Sequence, residues 1–288
     1  MNSYIVTGAT GFIGGHLVEN LLKSGHQVIT PLRVGSINTL PSGATRVDVE
    51  DFDSMVEAFR GSTGVFHLAT LFRGNHTPAE IRQMVDSNVT TLAFVCEAAH
   101  TADVPSIVYT ESATQHVGGG EYSPFTLYAA TKQAGTDILR YYARRGLRAA
   151  CISLFDTIGP KDTRGKLISL LEKTADDEST LQMSPGAQLV DYLYIDDVVS
   201  GLKTAMDLIN SSEIESPYFA RLTSSAPVPL KKFVEIVERT IGKKVRVDWG
   251  AREYREGEMF EPWSWPPVLE GWSPVVPLET GIRLTLGK

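Results

Sequence analysis

The sequence predicts an α/β fold in which a doubly wound parallel sheet is followed by a smaller C-terminal lobe. Short apolar runs alternate with amphipathic helical segments over the first half of the chain, as in parallel sheets that helices cover on both faces. A glycine-rich turn joins the first apolar run to the first helix. After Asp156 this alternation gives way to shorter elements and to segments rich in proline and glycine.

Each element is predicted from its local pattern. Strands are expected at residues 5–7, 25–30, 44–49, 64–69, 106–110 and 149–154. Helices are expected at 12–22, 53–60, 81–101 and 127–145, where apolar residues recur at helical spacing. A further strand near 192–195 is expected to rejoin the sheet. The predicted division is therefore 1–156 for the sheet domain, with a return segment at about 188–210, and mainly 157–288 for the lobe.

Composition limits the class of protein. The chain has 288 residues, of which 42% are hydrophobic, so it can bury a large core. The formal net charge is -7 and no basic face is evident, which excludes nucleic acid as an expected partner. Cys96 and Cys151 are the only cysteines and lie in apolar contexts, so buried thiols are predicted and a disulfide framework or metal site is not. No bilayer-spanning run or signal peptide is recognised, and a cytoplasmic protein is predicted.

The N-terminal segment predicts a dinucleotide site. Residues 7–14 read T-G-A-T-G-F-I-G, with Gly8, Gly11 and Gly14 three residues apart between a strand and a helix. Such a helix N-terminus favours a phosphate, and glycine lets the backbone approach it closely. An ordinary strand–helix turn is the alternative. The expected contacts in this turn are Gly8, Thr10, Gly11, Phe12, Ile13 and Gly14.

A catalytic pair is predicted on the helix at 127–145. Tyr128 and Lys132 are four residues apart, so they lie on one face of that helix. A cation near a phenol favours the phenolate, and a tuned tyrosine can transfer a proton to a carbonyl oxygen. Ser112 follows the fifth strand, at the sheet edge where ligands bind in such folds, and Thr110 and Thr114 are rival hydroxyls.

Together these motifs resemble an extended short-chain dehydrogenase/reductase of the NAD-dependent epimerase/dehydratase type, which has a Rossmann fold. Further motifs occur in the family order: Asp48, H-L-A at 67–69, Asn88, Gly159-Pro160, D-Y-L-Y-I-D-D-V-V at 191–199 and Y-R-E-G-E at 254–258. The resemblance implies that Ser112 and Tyr128 polarise and protonate the substrate oxygen, while Lys132 binds the nicotinamide ribose and tunes Tyr128. It also implies cofactor contacts from Asp48, Val49, Leu68 and Ala69, and a homodimer formed through the helices at 81–101 and 127–145.

The chain departs from that family pattern at several substrate positions. His116 stands where tyrosine is common, and Val190 stands where arginine commonly precedes the D-Y strand. The loop between Ser112 and Tyr128 is short, and residues 156–160 read D-T-I-G-P. These differences predict altered substrate contacts and leave the cofactor site intact.

The second strand indicates the cofactor. No acidic residue follows it to bind a ribose 2′-hydroxyl; instead Arg33 is placed to pair with a 2′-phosphate. The prediction is NADP(H), with NAD(H) as the alternative and a solvated surface arginine as the non-functional interpretation.

The expected reaction is reduction of a keto group, at C4, of a nucleotide-linked 4-keto-6-deoxy sugar. Ala113-Thr114 replaces the acidic pair that dehydratases of this family use after the catalytic hydroxyl, which disfavours elimination. The expected substrate contacts are Thr114, Asp156, Arg255 and Glu258, with Arg252 as a further cation for the diphosphate. An NAD-dependent nucleotide-sugar 4-epimerase, a reductase of a small ketone and a non-catalytic NADP-binding sensor are the alternatives.

Overall fold

Strands and helices alternate from the N-terminus in a computed structural model that describes residues 1–33, 40–117, 122–211, 214–255 and 257–288. The strands are β1 Ser3–Thr7, β2 Gln27–Leu32, β3 Thr45–Asp48, β4 Gly64–His67, β5 Ser106–Ser112, β6 Arg148–Leu154, β7 Asp156–Ile158, β8 Thr180–Met183, β9 Leu189–Val190, β10 Tyr192–Tyr194, β11 Tyr218–Leu222, β12 Val228–Pro229 and β13 Arg246–Trp249. The α-helices are α1 Phe12–Lys23, α2 Phe52–Phe59, α3 Pro78–Val85, α4 Thr91–Thr101, α5 Leu127–Ala143, α6 Leu167–Asp176, α7 Ile195–Ser211, α8 Leu230–Ile241 and α9 Leu278–Thr285.

The main sheet confirms the predicted fold. Within the described ranges it has seven strands in the order β11-β6-β5-β4-β1-β2-β3, and every pairing is parallel. This is a Rossmann-type doubly wound sheet, because the chain turns in opposite directions from β1. The order reverses between β1 and β4, so the carboxyl ends of these two strands border the crevice in which such sheets bind ligands.

Helices cover both faces of this sheet. On one face α1 and α7 bury residues such as Leu17 and Val198 against the strands. On the other face α2, α4 and α5 contribute Phe59, Val95 and Leu139 to a second apolar cluster. Strands buried on both faces carry near-continuous apolar sequence, which explains why most of them could be predicted.

A third apolar cluster belongs to the C-terminal part of the chain. It joins α6, α8 and α9, with Ile168, Leu171, Phe233, Val237 and Ile282 buried together. These helices form the small lobe that is predicted from the shorter elements and the proline- and glycine-rich segments after Asp156. The division at 1–156 and 157–288 stays a prediction.

The return of the chain to the sheet differs from the sequence prediction. The segment near 192–195 does not join the main sheet: β10 pairs in parallel with β7, with Tyr192 opposite Asp156. β10 has only three residues and leads directly into α7, whereas the five-residue β11 occupies the edge beside β6. The chain therefore returns to the sheet domain through α7, which packs on α1, β5 and β6.

The helix predicted at 81–101 begins earlier and is not uniform. It starts at Pro78, where the Glu80 carboxylate accepts a hydrogen bond of 2.9 Å from the Thr77 N–H. A π-helical turn, Asp86–Thr90, then separates α3 from α4. Turns of this type occur often at functional sites, and this one carries Asn88. No helix among the described residues is both long and apolar enough to cross a bilayer.

Candidate active site

The β1–α1 turn requires glycine at two positions. Gly8 has a φ of +69°, and a Cβ there would lie 2.7 Å from the backbone nitrogen of Ala69. A Cβ on Gly14 would collide with the carbonyl group of Gly8. The turn therefore packs at Gly8 against the chain that follows β4 and at Gly14 against its own backbone, so a side chain at either position would disrupt it.

The first turn of α1 is open to an anion. Gly11 is the exposed N-cap residue, no side chain caps the helix, and its first turn contains no acidic residue. Thr10 lies in the turn, and Phe12 and Ile13 begin the helix half-buried. Free N–H groups and the positive end of the helix dipole suit a phosphate. These residues, with the side-chain-free cradle at Gly8 and Gly14, fit the pyrophosphate of a dinucleotide.

The end of β4 is fixed by a buried hydroxyl. Thr7 Oγ1 accepts hydrogen bonds of 3.1 Å from the N–H groups of Leu68 and Ala69, and lies 3.1 Å from His67 Nδ1. Burial, with the charge of Lys132 as a smaller cause, lowers the pKa of His67 to about 3, so the imidazole is neutral. Leu68 and Ala69, which are expected to contact the cofactor, therefore have a backbone that is fixed at the crevice.

Asn88 joins three elements around this crevice. Its Oδ1 accepts a hydrogen bond of 2.6 Å from the Leu71 N–H, and its Nδ2 donates to Leu71 O at 3.1 Å and to Thr131 Oγ1 at 2.9 Å. The side chain is buried. It therefore ties the segment after β4 to α5, one residue before Lys132. The sequence motifs included Asn88 only as part of the resemblance, without a role.

Tyr128 and Lys132 lie one turn apart in the first half of α5, and both are buried. Thr126 begins the helix by accepting a hydrogen bond of 3.1 Å from the Ala129 N–H. The Lys132 ammonium lies 4.5 Å from the centre of the Tyr109 ring, and the Tyr109 hydroxyl donates to the Lys132 carbonyl at 3.0 Å. The lysine is therefore held against β5 at both its backbone and its side chain.

The Tyr128 side chain faces the crevice. Phe72 meets its ring edge-on with centroids 4.9 Å apart, and Thr70 and Arg164 act on its hydroxyl from the segments after β4 and β7. Burial raises the pKa of Tyr128 to about 12, against smaller lowering effects of a hydrogen bond with Thr70 and of the Arg164 charge.

This corrects one expectation. The sequence predicted that Lys132 lowers the pKa of Tyr128, but Lys132 is not among the groups that act on it. Burial also lowers the pKa of Lys132 itself, to about 7, while the charge of Glu111 opposes this shift. Desolvation shifts each group toward its uncharged form because neither side chain is exposed to water.

Ser112 and Thr114 form one unit at the end of β5. Their hydroxyl oxygens are 2.8 Å apart, and both residues are half-buried. The Ser112 N–H donates to Gln115 Oε1 at 2.8 Å, and Gln115 Nε2 donates to Gln133 Oε1 on α5 at 3.3 Å. The turn Ala113–Gln115 is thus tied to the helix of the catalytic pair. The other rival hydroxyl, that of Thr110, is buried within β5.

The residues expected to contact the adenosine of the cofactor lie in β3 and directly after β2 and β3. Asp48 Oδ1 accepts a hydrogen bond of 3.0 Å from the Glu50 N–H, and the N–H of the buried Val49 donates to Leu32 O at 3.1 Å. Arg33 is exposed directly after β2. Arg46, on β3, donates to the Arg33 carbonyl at 2.5 Å.

Arg46 was missed in the sequence. It lies two residues before Asp48, so both side chains point to the same face of β3. Neither Arg33 nor Arg46 forms a salt bridge within the part of the chain that the structure describes. The alternation of side chains along β3 was the available signal.

Two further cations near the crevice were also missed. The Arg164 guanidinium lies 4.6 Å from the centre of the Phe12 ring and donates to Thr157 O at 3.1 Å and to Asp162 at 2.7 Å. Lys166, just before α6, forms a 3.0 Å ion pair with Asp156, one of the predicted substrate residues. The R-G-K sequence at 164–166, soon after Gly159-Pro160, was the signal.

The two predicted arginines of the C-terminal segment, Arg252 and Arg255, are placed less closely to the crevice than Arg164 and Lys166. Arg255 is exposed, and its carbonyl accepts a hydrogen bond of 2.9 Å from the N–H of Glu258. Gly257 lies against Phe125 and Val117, which places this loop beside the segment between Ser112 and Tyr128. Arg252 is exposed near the end of β8. Glu256 and residues 118–121 of the predicted short loop lie outside the described residues.

Two C-terminal tryptophans anchor the tail through packing and hydrogen bonds. Trp263 is buried, donates from Nε1 to the Ala113 carbonyl at 2.8 Å, and packs 4.8 Å from the His116 ring. Trp272 donates from Nε1 to Ser200 Oγ at 2.9 Å on α7. The tail therefore contacts Ala113, the residue that follows Ser112, and His116 packs against Trp263 of the tail.

Comparisons with known proteins identify the family of this chain. Residues 4–218 match the NAD dependent epimerase/dehydratase family. The chain is 25% identical over 293 residues to a CDP-abequose synthase from Salmonella muenchen, covering 98% of this chain and 96% of that one. It is also 25% identical to a UDP-glucuronate 4-epimerase from Thermodesulfobacterium geofontis, over 99% and 95% of the two chains.

Solved structures show the same fold. The UDP-glucose 4-epimerase of Thermotoga maritima, solved with UDP-glucose, has a TM-score of 0.83 at 21% identity and covers 99% of this chain and 97% of its own. The UDP-glucuronic acid 4-epimerase of Bacillus cereus, in complex with UDP-glucuronic acid and NAD, has a TM-score of 0.84 at 20% identity, with 99% and 98% covered. Since the family match extends over most of the sequence, this chain belongs to the NAD dependent epimerase/dehydratase family, the extended short-chain dehydrogenases/reductases that act with NAD(P) on nucleotide sugars.

Proposed function

We propose that this protein reduces a keto group, at C4, of a nucleotide-linked 4-keto-6-deoxy sugar with NADPH. The observation that carries the choice of a reductase is the pair of exposed arginines, Arg33 directly after β2 and Arg46 within β3. Guanidinium groups without carboxylate partners suit a 2′-phosphate, and no acid follows β2 to accept from a ribose 2′-hydroxyl. An exchangeable NADPH supports net reduction.

The residues expected to bind the cofactor divide into three sets under this proposal. The pyrophosphate of the cofactor would be held by Gly8, Thr10, Gly11, Phe12, Ile13 and Gly14, and the adenosine by Arg33, Asp48 and Val49. Leu68, Ala69 and Lys132 would hold the nicotinamide end. When bound, NADPH supplies the hydride.

The protonation state of Tyr128 fits the direction of the reaction. With a pKa of about 12 the phenol carries its proton at neutral pH, so it can donate to the substrate oxygen. Ser112, whose hydroxyl is held by Thr114, would orient that oxygen by a hydrogen bond. Lys132 would keep a positive charge beside the site while the proton leaves Tyr128.

The diphosphate of the substrate needs cations because the net charge of the protein is -7. Arg164 and Lys166 are favourably placed, since one contacts Phe12 and the other pairs with Asp156. They would take over the role of the arginine that Val190 replaces. Arg255 is a further candidate with Glu258 beside it, and Arg252 is the more distant one.

A nucleotide-sugar 4-epimerase is the second candidate. A specific observation favours it: the Bacillus cereus structure with the same fold is a 4-epimerase in complex with NAD, and the Thermodesulfobacterium geofontis relative is also named a 4-epimerase. An epimerase would return the hydride to the same sugar and retain its NAD. The non-catalytic sensor is less well supported, because Ser112, Tyr128 and Lys132 are all present.

The deciding experiment identifies the nucleotide that the purified protein carries and the one it consumes. The protein is denatured, the released nucleotide is quantified, and NADPH oxidation is followed with CDP- and dTDP-4-keto-6-deoxyglucose. Oxidation of NADPH with little bound NAD supports the reductase. Stoichiometric bound NAD and interconversion of C4 epimers without net oxidation would establish the epimerase instead. Thermal shifts with nucleotide sugars then identify the preferred base, because binding raises the midpoint.

The assembly and the location are also proposals. Ile81, Val85 and Phe94 are 37% to 45% exposed on the long helical segment, and Tyr141 is 54% exposed on α5. These exposed apolar side chains support a homodimer formed through the two helices. A cytoplasmic location stays a prediction.

A further inference from the structure

Glu111 is a buried carboxylate that the proposed reaction does not use. It lies in β5 between Thr110 and Ser112 and is only 6% exposed. Its Oε2 accepts a hydrogen bond of 3.0 Å from Ser153 Oγ, its register partner on β6, and its Oε1 accepts one of 2.5 Å from Thr136 Oγ1 on α5. A carboxylate so far from water is costly unless a positive charge or hydrogen bonds compensate it.

The carboxylate and the Lys132 ammonium lie in the same layer between β5 and α5. Tyr109 and Glu111 are two residues apart in the strand, so both side chains point to α5. Lys132 and Thr136 are one helical turn apart, and they contact Tyr109 and Glu111 respectively. Gly135 permits this close packing, because a Cβ there would collide with the Tyr109 hydroxyl.

The other titratable groups of this layer carry no negative charge at neutral pH. Burial raises the pKa of the Tyr109 phenol and of the Cys151 thiol well above their ordinary values, and that of Tyr128 to about 12. His67, from β4, has a pKa of about 3 and is neutral. Arg140, further along α5, acts on Cys151 and not on Lys132. Among the groups that act on Lys132, Glu111 is therefore the one that supplies a negative charge.

We propose that Glu111 is a positioning residue for Lys132: its carboxylate, fixed by Ser153 and Thr136 in the layer that also holds the lysine, favours the protonated form of Lys132. The inference rests on the proposed function, in which Lys132 serves the cofactor and the proton donor. Burial lowers the pKa of Lys132, and about 7 is the value reached with the opposing charge of Glu111 included, so that charge helps to retain the protonated form. Without it, Lys132 would be neutral at neutral pH.

The test is Glu111→Gln, which keeps the shape of the side chain and removes the charge. We expect the alkaline limb of kcat/KM, and of NADPH affinity, to move to lower pH by about one unit. At acidic pH, where Lys132 is protonated in both proteins, the two should behave alike. Glu111→Asp, which keeps the charge, should restore most of the wild-type pH profile.

Asp197→Asn is the matched control. Asp197 is equally inaccessible, at 1% exposure, and its carboxylate accepts hydrogen bonds of 3.0 Å from the N–H groups of Val275 and Val276. Its replacement should lower the thermal midpoint and leave the pH profile unchanged. An unchanged profile in Glu111→Gln, or the same displacement in both variants, would contradict the proposal.

Two further results separate the possible failures. Lys132→Met should lose turnover and NADPH affinity; if it does not, the proposed function itself is wrong. If Lys132→Met is inactive but Glu111→Gln keeps the wild-type profile, only the role of Glu111 is wrong. Should Glu111→Gln not fold, Glu111→Ser removes the same charge. Failure of both uncharged variants to fold, with Asp197→Asn folded, would assign Glu111 a purely structural role and overturn the inference.

Discussion

Tyr128 and Lys132 illustrate how burial determines the chemistry of single residues in this protein. The phenol is driven toward its protonated form and the amine toward its neutral form, because each loses the water that would stabilise its charge. Tyr128 is therefore a protonated phenol that can donate a proton, and Lys132 is an amine whose protonated form requires a stabilising interaction. A free tyrosine and lysine at the same spacing would not show either property.

Replacement of the proton donor tests the proposed chemistry most directly. Tyr128→Phe should bind NADPH with unchanged affinity and lose turnover by a factor of about 10² to 10⁴, since only proton transfer is removed. Binding is measured by fluorescence titration and turnover by NADPH oxidation. Tyr141→Phe is the control on the same helix, because that hydroxyl is exposed and should be dispensable. Full activity in Tyr128→Phe would remove this residue from the mechanism.

Cofactor choice is a second property of single residues. Arg33→Ala and Arg46→Ala should each weaken NADPH binding by about tenfold or more, because each loses a charge-assisted hydrogen bond, while NADH binding stays nearly constant. Arg60→Ala is the control, because this exposed arginine forms a surface ion pair with Glu57. Equal losses for both cofactors would mean that these arginines do not recognise a 2′-phosphate.

The buried lysine also predicts how stability depends on pH. Its pKa in the folded protein, about 7, lies below the ordinary value of 10.5, so the unfolded chain binds more protons between these values. The free energy of unfolding without cofactor should therefore rise with pH across this range, by up to about 1.4 kcal/mol per pH unit from this residue. Chemical denaturation at several pH values measures it. Lys132→Met should lack this part of the rise; the same slope in both proteins would show that Lys132 titrates normally.

At the scale of elements, the site is built from segments that are distant in sequence and are joined by the hydrogen bonds of individual side chains. Asn88, in the π-helical turn, connects the chain after β4 with α5. Trp263, in the C-terminal tail, binds the carbonyl of Ala113, directly after Ser112. The crevice is thus bounded by a helix, a strand end and the tail, and each of these contacts can be altered separately.

The contact of Trp263 with Ala113 can be tested by comparing replacements of Trp263 and Trp272. Trp263→Phe and Trp272→Phe each remove one indole hydrogen bond, so each should lower the free energy of unfolding by about 1 kcal/mol. Only Trp263→Phe should also lower kcat/KM, because it releases the turn that carries Ser112 and Thr114. NADPH binding should be unaffected in both. Similar activities of the two variants would show that the tail does not support the active site.

At the scale of the whole molecule, a parallel sheet with covered faces leaves the outer surfaces of its helices free for assembly. Ile81 and Val85 lie one turn apart and are both exposed on α3. An Ile81→Glu/Val85→Glu double variant should convert the expected homodimer into a monomer, because two charges cannot be buried at such an interface. Light scattering measures the mass. Leu284→Glu, an equally exposed position on α9, should remain dimeric, and a monomeric wild type would refute the assembly.

Much of this architecture follows from local sequence. Most strands from β1 to β6 could be located because they are short apolar runs buried in the sheet, and α1, α2 and α5 because their apolar residues recur at helical spacing. β3, whose residues are exposed or half-buried, is the exception. The partner of β10 could not be predicted, since three residues carry too little pattern to choose between a main sheet edge and β7. The π-helical turn likewise leaves no mark in hydrophobic periodicity.

By itself the sequence determined the doubly wound fold, the family and the glycine turn, because these depend on local spacing and on the order of motifs along the chain. Only the tertiary structure decided the charge states of Tyr128 and Lys132, the approach of Glu111 to α5 and the nearness of Arg46, Arg164 and Lys166 to the crevice. Those properties come from desolvation and from contacts between elements remote in the chain. No local pattern encodes how much water a side chain loses when the elements pack together.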